Sequence, residues 1–261
     1  MKETTMQGTD ITEKIQKHSV PDHTQWRVVL LCGLVCLLDG FDMLVAPVST
    51  PGMADDWGLD PASFAFALAA GVFGTALGAA LLAPLGDRFG RRPLVIASFA
   101  LVGLSSCLVP WSSGVGQLTI LRFATGLGMG ASLANALALA SECASEHLRS
   151  RVLAVVYASS AIGGALGGLI APLILSSVGW EGLYLAGGII PLLLIPVLFW
   201  GLSESRGFLQ LQSECNASTA SQNSAPLGSV LEILAALLTN DYRRVTVLLW
   251  LLFFFANSTT Y

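Results

Sequence analysis

Apolar residues in this chain gather into long runs rather than at the 3.6- or 2-residue spacing of a half-buried helix or strand. Seven runs can be marked, at about 28–50, 63–85, 94–112, 117–141, 152–177, 182–201 and 244–261. A helix needs roughly 20 apolar residues to cross the ~30 Å hydrocarbon core of a bilayer, and the first six runs each supply about that. Gly and Pro recur inside them, as membrane helices tolerate. The pattern predicts an all-α integral membrane fold: a six-helix bundle plus part of a seventh transmembrane helix. Polar stretches divide the chain into a tail (1–26), the bundle (27–202), a central loop (203–243) with an amphipathic stretch at 227–238, and the start of helix seven (244–261). The last run stops at Tyr261 without a polar tail, which reads as a chain cut inside a helix.

Composition agrees with a membrane protein and removes other classes. Of 261 residues, 54% are hydrophobic and 11% charged, about half the usual charged share of a soluble domain. That much apolar surface exceeds what one water-soluble core hides, and it excludes a disordered chain, a nucleic-acid binder and a disulfide scaffold. Cys32, Cys36, Cys107, Cys143 and Cys215 form no metal or redox pattern; Cys32 and Cys36, four apart, share a helical face and read as packing. No nucleophile elbow, zinc-binding His pair or phosphate loop is present, and His18, His23 and His147 all fall outside the runs. The reading is therefore no enzyme, no cofactor and no metal. Residues 1–26 lack the short apolar core of a signal peptide. The sequons at Asn216 and Asn257 read as chance matches, one in the central loop and one in a helix.

The charges then set orientation. Lys2, Lys14, Lys17 and Arg27 precede the first run; Arg88, Arg91 and Arg92 follow the second; Arg149 and Arg151 follow the fourth; Arg206, Arg243 and Arg244 follow the sixth. The intervening loops carry Asp55, Asp56, Asp60 and Glu181 and no Lys or Arg. Twelve of the thirteen basic residues thus lie on one side, which the positive-inside rule makes the cytoplasm, with the N-terminus there too. The alternation also checks the helix count, since a missed span would scramble it.

Three charges remain inside the runs. An ionisable group at membrane depth costs at least ~2.5–3.5 kcal/mol on insertion scales, so each is a functional candidate. Asp39 and Asp42 share a face of the first helix. Asp39, twelve residues past Arg27, lies about 18 Å along the axis, near the bilayer midplane. Two carboxylates close together in low dielectric do not both ionise easily, and one that exchanges a proton is what a proton-coupled carrier needs; the alternative is that they pair with Arg or backbone donors and hold helices together. Arg122 in the fourth helix either snorkels to water or faces the cavity as a fixed charge for an anion or a carboxylate. Gly126 and Gly130 predict close helix packing. Glu142, Glu146, His147, Arg149 and Arg151 read as a solvated cap and ion-pair cluster ahead of a proton relay. Gly163, Gly164, Gly167, Gly168 and Pro172 suggest close approach and a bendable fifth helix.

The loop after the second run, Gly86-Asp87-Arg88-Phe89-Gly90-Arg91-Arg92, resembles the signature loop G-x-x-x-D-R-x-G-R-R/K of the major facilitator superfamily, with Ala83 at its first position. Gly90 permits a tight turn, and Asp87 can accept bonds at a neighbouring helix terminus. Arg122-x-x-x-Gly126-x-Gly128 and Glu204-Ser205-Arg206 are similar to further motifs of that superfamily. The Asp39-Gly40-Phe41-Asp42 element resembles the D-G-x-D motif of its aromatic acid:proton symporter family, as does the stretch from Arg122 to Glu142, with Asn135. The resemblance implies twelve helices in two bundles, of which this chain holds the first and part of helix seven. It implies proton coupling or substrate handling at Asp39 and Asp42, a proton or anion path at Arg122, and cytoplasmic gating by Asp87, Arg88, Gly90, Arg91 and Arg92, with Asn135, Glu142 and Arg149 as secondary candidates. The implied partners are a small aromatic or related organic acid, protons, membrane lipid and the missing second bundle, in a bacterial inner membrane. A sugar, osmolyte or drug carrier, and a non-transporting half, are the alternatives.

Overall fold

The structure, a computed structural model, describes residues 22–204 and Leu248. The tail before Asp22, the central loop beyond Glu204 and the seventh run apart from helical Leu248 lie outside the described residues, as do both sequons and the basic residues after Glu204. Among the described residues the ordered elements are all helical: α1 (Asp22–Trp57), α2 (Ala65–Leu77), α3 (Leu85–Phe89), α4 (Arg91–Leu108), α5 (Val115–Cys143) and α6 (Arg149–Gly201).

Helix α1 is longer than its apolar run. Its 36 residues rise about 54 Å, so it projects beyond a ~30 Å hydrocarbon core. Its helical path continues through Pro47 and Pro51 and stops at Gly58, whose φ of 62° is a left-handed conformation. The Leu59 amide then bonds back to the Ala54 carbonyl at 3.0 Å, the closure of a Schellman cap. Asp60 next caps a 3₁₀ turn, Pro61–Phe64, by accepting the Ala62 amide at 2.9 Å. The second run follows as α2 and a π-helical turn, Gly78–Leu82.

The fifth and sixth runs join in one continuous stretch of 53 residues, Arg149–Gly201, about 80 Å if straight, which no bilayer accommodates as a single span. The break is Gly179, at φ 76° and ψ −175°. Packing shows that the chain reverses there. Before it, Gly163 lies on Leu37, Gly167 on Phe41 and Gly168 on Leu44; after it, Trp180 lies on Gly52, Gly187 on Val45 and Gly201 on Leu31. The first limb therefore runs parallel to α1 and the second antiparallel. The glycines of the first limb serve close approach, and the helix continues through Pro172 without a break.

Between α2 and α5, Gly126 and Gly130 sit on the backbone at Gly71 and Thr75, where a methyl group has no room. This is the contact expected of small residues four apart. Two apolar plugs fill the bundle. One, towards the end that bears Arg88, Arg91 and Arg92 (the basic end), contains Val28, Val35, Val95, Phe99, Leu139 and Leu198. The other, towards the end that bears Asp55, Asp56, Asp60 and Glu181 (the acidic end), contains Met53, Phe64, Leu118, Trp180, Leu183 and Tyr184. At that end the Trp180 indole N–H donates to Asp56 at 2.6 Å, with Trp57 stacked on Phe64 and edge-on to Trp180.

Candidate functional site

Between the two plugs lies a thin polar layer. Asp39, Asp42, Ser106, Arg122, Thr125 and Ser132 are all buried there. Two turns of α1 supply the carboxylates, α4 supplies Ser106, and α5 supplies the rest.

The structure brings Asp42 and Arg122 together across 80 positions of sequence. The Arg122 Nη1 donates to Asp42 Oδ2 at 3.3 Å, with the two side chains only 6% and 1% exposed. The Ser106 hydroxyl donates to Asp42 Oδ1 at 3.0 Å, so both carboxylate oxygens are engaged. Arg122 accordingly does not snorkel. Its guanidinium lies under Gly71 of α2, where a methyl group would stand 3.6 Å from Nε. Gly187 leaves a similar space over Asp42, and buried Tyr184 neighbours the pair. A charge-assisted bond in this dry setting is short of competitors, since water cannot replace either partner.

Asp39 is differently placed. It is 3% exposed, and its Oδ1 has no hydrogen-bond partner among the described residues. Asp42 and the Ser132 side chain are near it. Ser105 and Thr125, whose hydroxyls share a bond of 2.9 Å, extend the layer between α4 and α5.

The basic end holds a second constellation. Gly90 has φ 98°, a conformation that glycine adopts without strain, and it opens α4. The first two amides of that helix, Arg91 and Arg92, both donate to Glu204 Oε1, at 3.0 and 3.2 Å. A side chain on Gly90 would collide with that carboxylate, so the turn and the cap require the same glycine. The Arg91 guanidinium bridges Asp87 at 3.0 Å and Glu142 at 2.8 Å. Arg92 donates to the Phe199 carbonyl and lies over the Phe199 ring at 5.1 Å. Arg88 stacks on Phe89. Asn135 donates to the carbonyls of Ala83, at 3.3 Å, and Ala131, at 2.9 Å, and its Oδ1 fills the space where Gly86 has no side chain. Arg149 is exposed at the start of α6.

Of the sequence candidates, Asp42 and Arg122 meet directly, Asp39 lies one turn away, and Asp87, Arg91 and Glu142 form one network. Asp87 is 69% exposed, and the terminus of α4 is capped by Glu204 rather than by Asp87. Ser106, Ser132 and the capping role of Glu204 escaped the sequence reading. Single serines in a helix carry no pattern, and a cap supplied from over a hundred residues away has no local signal. Among the described residues no group of His, Cys, Asp and Glu is arranged to hold a metal ion.

The model of the Major Facilitator Superfamily matches residues 30–261. The chain belongs to that superfamily. Its members are transporters rather than enzymes. Among curated relatives, this superfamily chain is 34% identical to the 4-hydroxybenzoate transporter PcaK of Pseudomonas aeruginosa over 91% of its own length and 57% of the relative's. It is 31% identical to a gallate transporter of Pseudomonas putida, over 91% and 56%, and 32% identical to the 3-(3-hydroxy-phenyl)propionate transporter of Escherichia coli, over 92% and 56%. The chain thus spans little more than half the length of these relatives. The inward-open xylose transporter XylE of E. coli shares the fold, with TM-score 0.62 at 22% identity over 83% of this chain and 57% of that one.

Proposed function

We propose that this chain is part of a secondary active transporter that takes up an aromatic or related organic acid together with protons across a bacterial inner membrane. The observation that carries the mechanism is the buried Asp42–Arg122 pair, with Asp39 beside it, at mid-depth in the bundle. Ionisable groups held there at a cost of several kcal/mol are suited to meeting a proton and an anion. The substrate class rests on the relatives named above, which carry hydroxybenzoate, gallate and hydroxyphenylpropionate by name.

In this reading the basic end faces the cytoplasm, as does the N-terminus. A second six-helix bundle, for which the relatives' extra length leaves room, supplies the opposite wall of the cavity. The bundles rock about the mid-depth layer. Asp87, Arg88, Gly90, Arg91 and Arg92 latch the cytoplasmic side, supported by Asn135, Glu142 and Arg149. The Arg91–Asp87 pair of that end, with Asp87 mostly in water, can exchange partners at low cost.

The test is uptake of radiolabelled 4-hydroxybenzoate by cells expressing the protein, with unlabelled gallate and xylose as competitors and a protonophore as control. Accumulation that the protonophore abolishes, and that gallate but not xylose reduces, is the expected result. Uptake indifferent to the protonophore removes the coupling, and competition by xylose alone removes the substrate class.

A further inference from the structure

The two carboxylates of α1 sit three residues apart in one buried layer, yet their surroundings differ in kind. Asp42 has a charge partner in Arg122 and a hydroxyl donor in Ser106, one for each oxygen. As an anion it is satisfied. Asp39 has a buried oxygen with no partner. The groups facing Asp39 are Cys36 and Asp42 from its own helix and Ser132 from α5. Gly40 beside it backs directly on Ser160 of α6, with no room for a further side chain. Arg122 and Tyr184 are placed against Asp42.

We propose that the two residues divide the work: Asp39 carries the exchangeable proton, while Asp42 remains an anion that fixes Arg122. This rests on the proton-coupled reading above and assigns its parts. A buried carboxylate with no counter-charge, one oxygen unpartnered and only the Ser132 side chain bonded to it is costly, whereas the neutral acid needs no counter-charge. Its hydroxyl is a donor that the Ser132 oxygen can accept. The Asp42–Arg122 pair is neutral as a unit, and taking either charge away leaves the other buried alone. The pair is therefore the fixed element and Asp39 the variable one. The step balances simply. On one face of the membrane the Asp39 carboxylate takes a proton from hydronium and releases water. On the other face the acid returns that proton to water, and no electron moves.

Two measurements on the protein in its host membrane vesicles test this. The first is infrared difference spectroscopy across a pH jump, reading the carbonyl stretch of a protonated carboxyl group in the wild type, Asp39→Asn and Asp42→Asn. The expected result is a pH-dependent band that Asp39→Asn removes and Asp42→Asn keeps. The second compares proton-driven accumulation of labelled 4-hydroxybenzoate with its counterflow from vesicles preloaded with the unlabelled acid. Asp39→Asn should lose accumulation and retain counterflow, because exchange needs no net proton movement. Asp42→Asn should lose both, and Asp39→Glu should recover some accumulation. If Asp42→Asn fails to reach the membrane, the charge-neutral double variant Asp42→Asn/Arg122→Gln takes its place. A band that disappears with Asp42 rather than Asp39, or no band in the wild type, overturns the assignment, as does loss of counterflow in Asp39→Asn. If the wild type does not transport 4-hydroxybenzoate, the substrate reading fails, and the infrared measurement still decides between the two carboxylates.

Discussion

The bundle makes the same bond twice, in opposite settings. At mid-depth, Arg122 and Asp42 pair with side chains 6% and 1% exposed. At the basic end, Arg91 meets Asp87 and Glu142 with exposures of 19%, 69% and 23%. In the first setting neither charge has water to return to, so the pair holds its geometry. In the second, Asp87 is mostly in water and the Arg91–Glu142 contact is only partly buried, so partners can be exchanged at a smaller penalty. The proposed transport cycle would use both: a fixed ionic element at mid-depth, and more loosely held charges at the basic end. Burial, not the identity of the pair, decides which is which.

The largest effect should come from removing one half of the buried pair. Arg122→Ala leaves Asp42 with Ser106 alone, and an uncompensated buried charge costs about 3–5 kcal/mol. Thermal unfolding in detergent should show a large drop in Tm for Arg122→Ala or Asp42→Asn. The double variant Asp42→Asn/Arg122→Gln should regain most of it, because the burial penalty is removed with both charges. A double variant as unstable as either single one would break the comparison, since the pair would then be acting through shape rather than charge.

A second prediction sharpens the packing that holds the pair in place. Gly130 presses on the backbone at Thr75 of α2 and at Ala79 of the π-helical turn that follows it. Gly130→Leu must part the two helices, and overpacking of this kind costs about 1–3 kcal/mol or more. Gly116, by contrast, meets open space, and Gly116→Ala should leave Tm unchanged or slightly raised. Equal losses at the two glycines would mean that close α2–α5 approach is not what Gly130 provides.

These contrasts show what was legible in the sequence. The helical runs among the described residues were, because roughly 20 apolar residues have few other uses. The reversal at Gly179 was visible as the gap between the fifth and sixth runs, although the helices there abut with one residue between them. Asp39, Asp42 and Arg122 stood out by their cost in lipid. Their pairing did not, because α1 and α5 meet only through tertiary packing, and nothing local to Arg122 says which carboxylate it faces. Ser106 and Ser132 were invisible for the same reason. Glu204 belonged to a visible motif, but its role depends on the second limb of α6 returning to the start of α4.

That cap supplies an intermediate effect. Glu204 accepts both leading amides of α4, and loss of a capping side chain costs about 0.5–2 kcal/mol. Glu204→Ala should lower Tm by less than Arg122→Ala, and Glu204→Gln, which keeps an acceptor oxygen, by less again. If Glu204→Ala matches Arg122→Ala, the basic end is as rigid as the core and the distinction between the two regions falls.

The smallest effect on stability should be at Asp87, and there stability and transport should part. Its carboxylate is mostly in water, and exposed pairs contribute roughly 0–1 kcal/mol, screened further by salt. Asp87→Asn should therefore barely change Tm, and what change there is should shrink as salt is added. If the signature loop is a latch, the same variant should still change uptake of labelled 4-hydroxybenzoate, because its effect is on the balance between inward- and outward-open states rather than on folding. A shift of about 1.4 kcal/mol in that balance alters the ratio of the two states tenfold, enough to slow a cycle that must visit both. Asp87→Asn with unchanged Tm and unchanged uptake would leave the loop a topological anchor and no latch. Unchanged Tm with impaired uptake would place Asp87 in the conformational cycle and not in the fold.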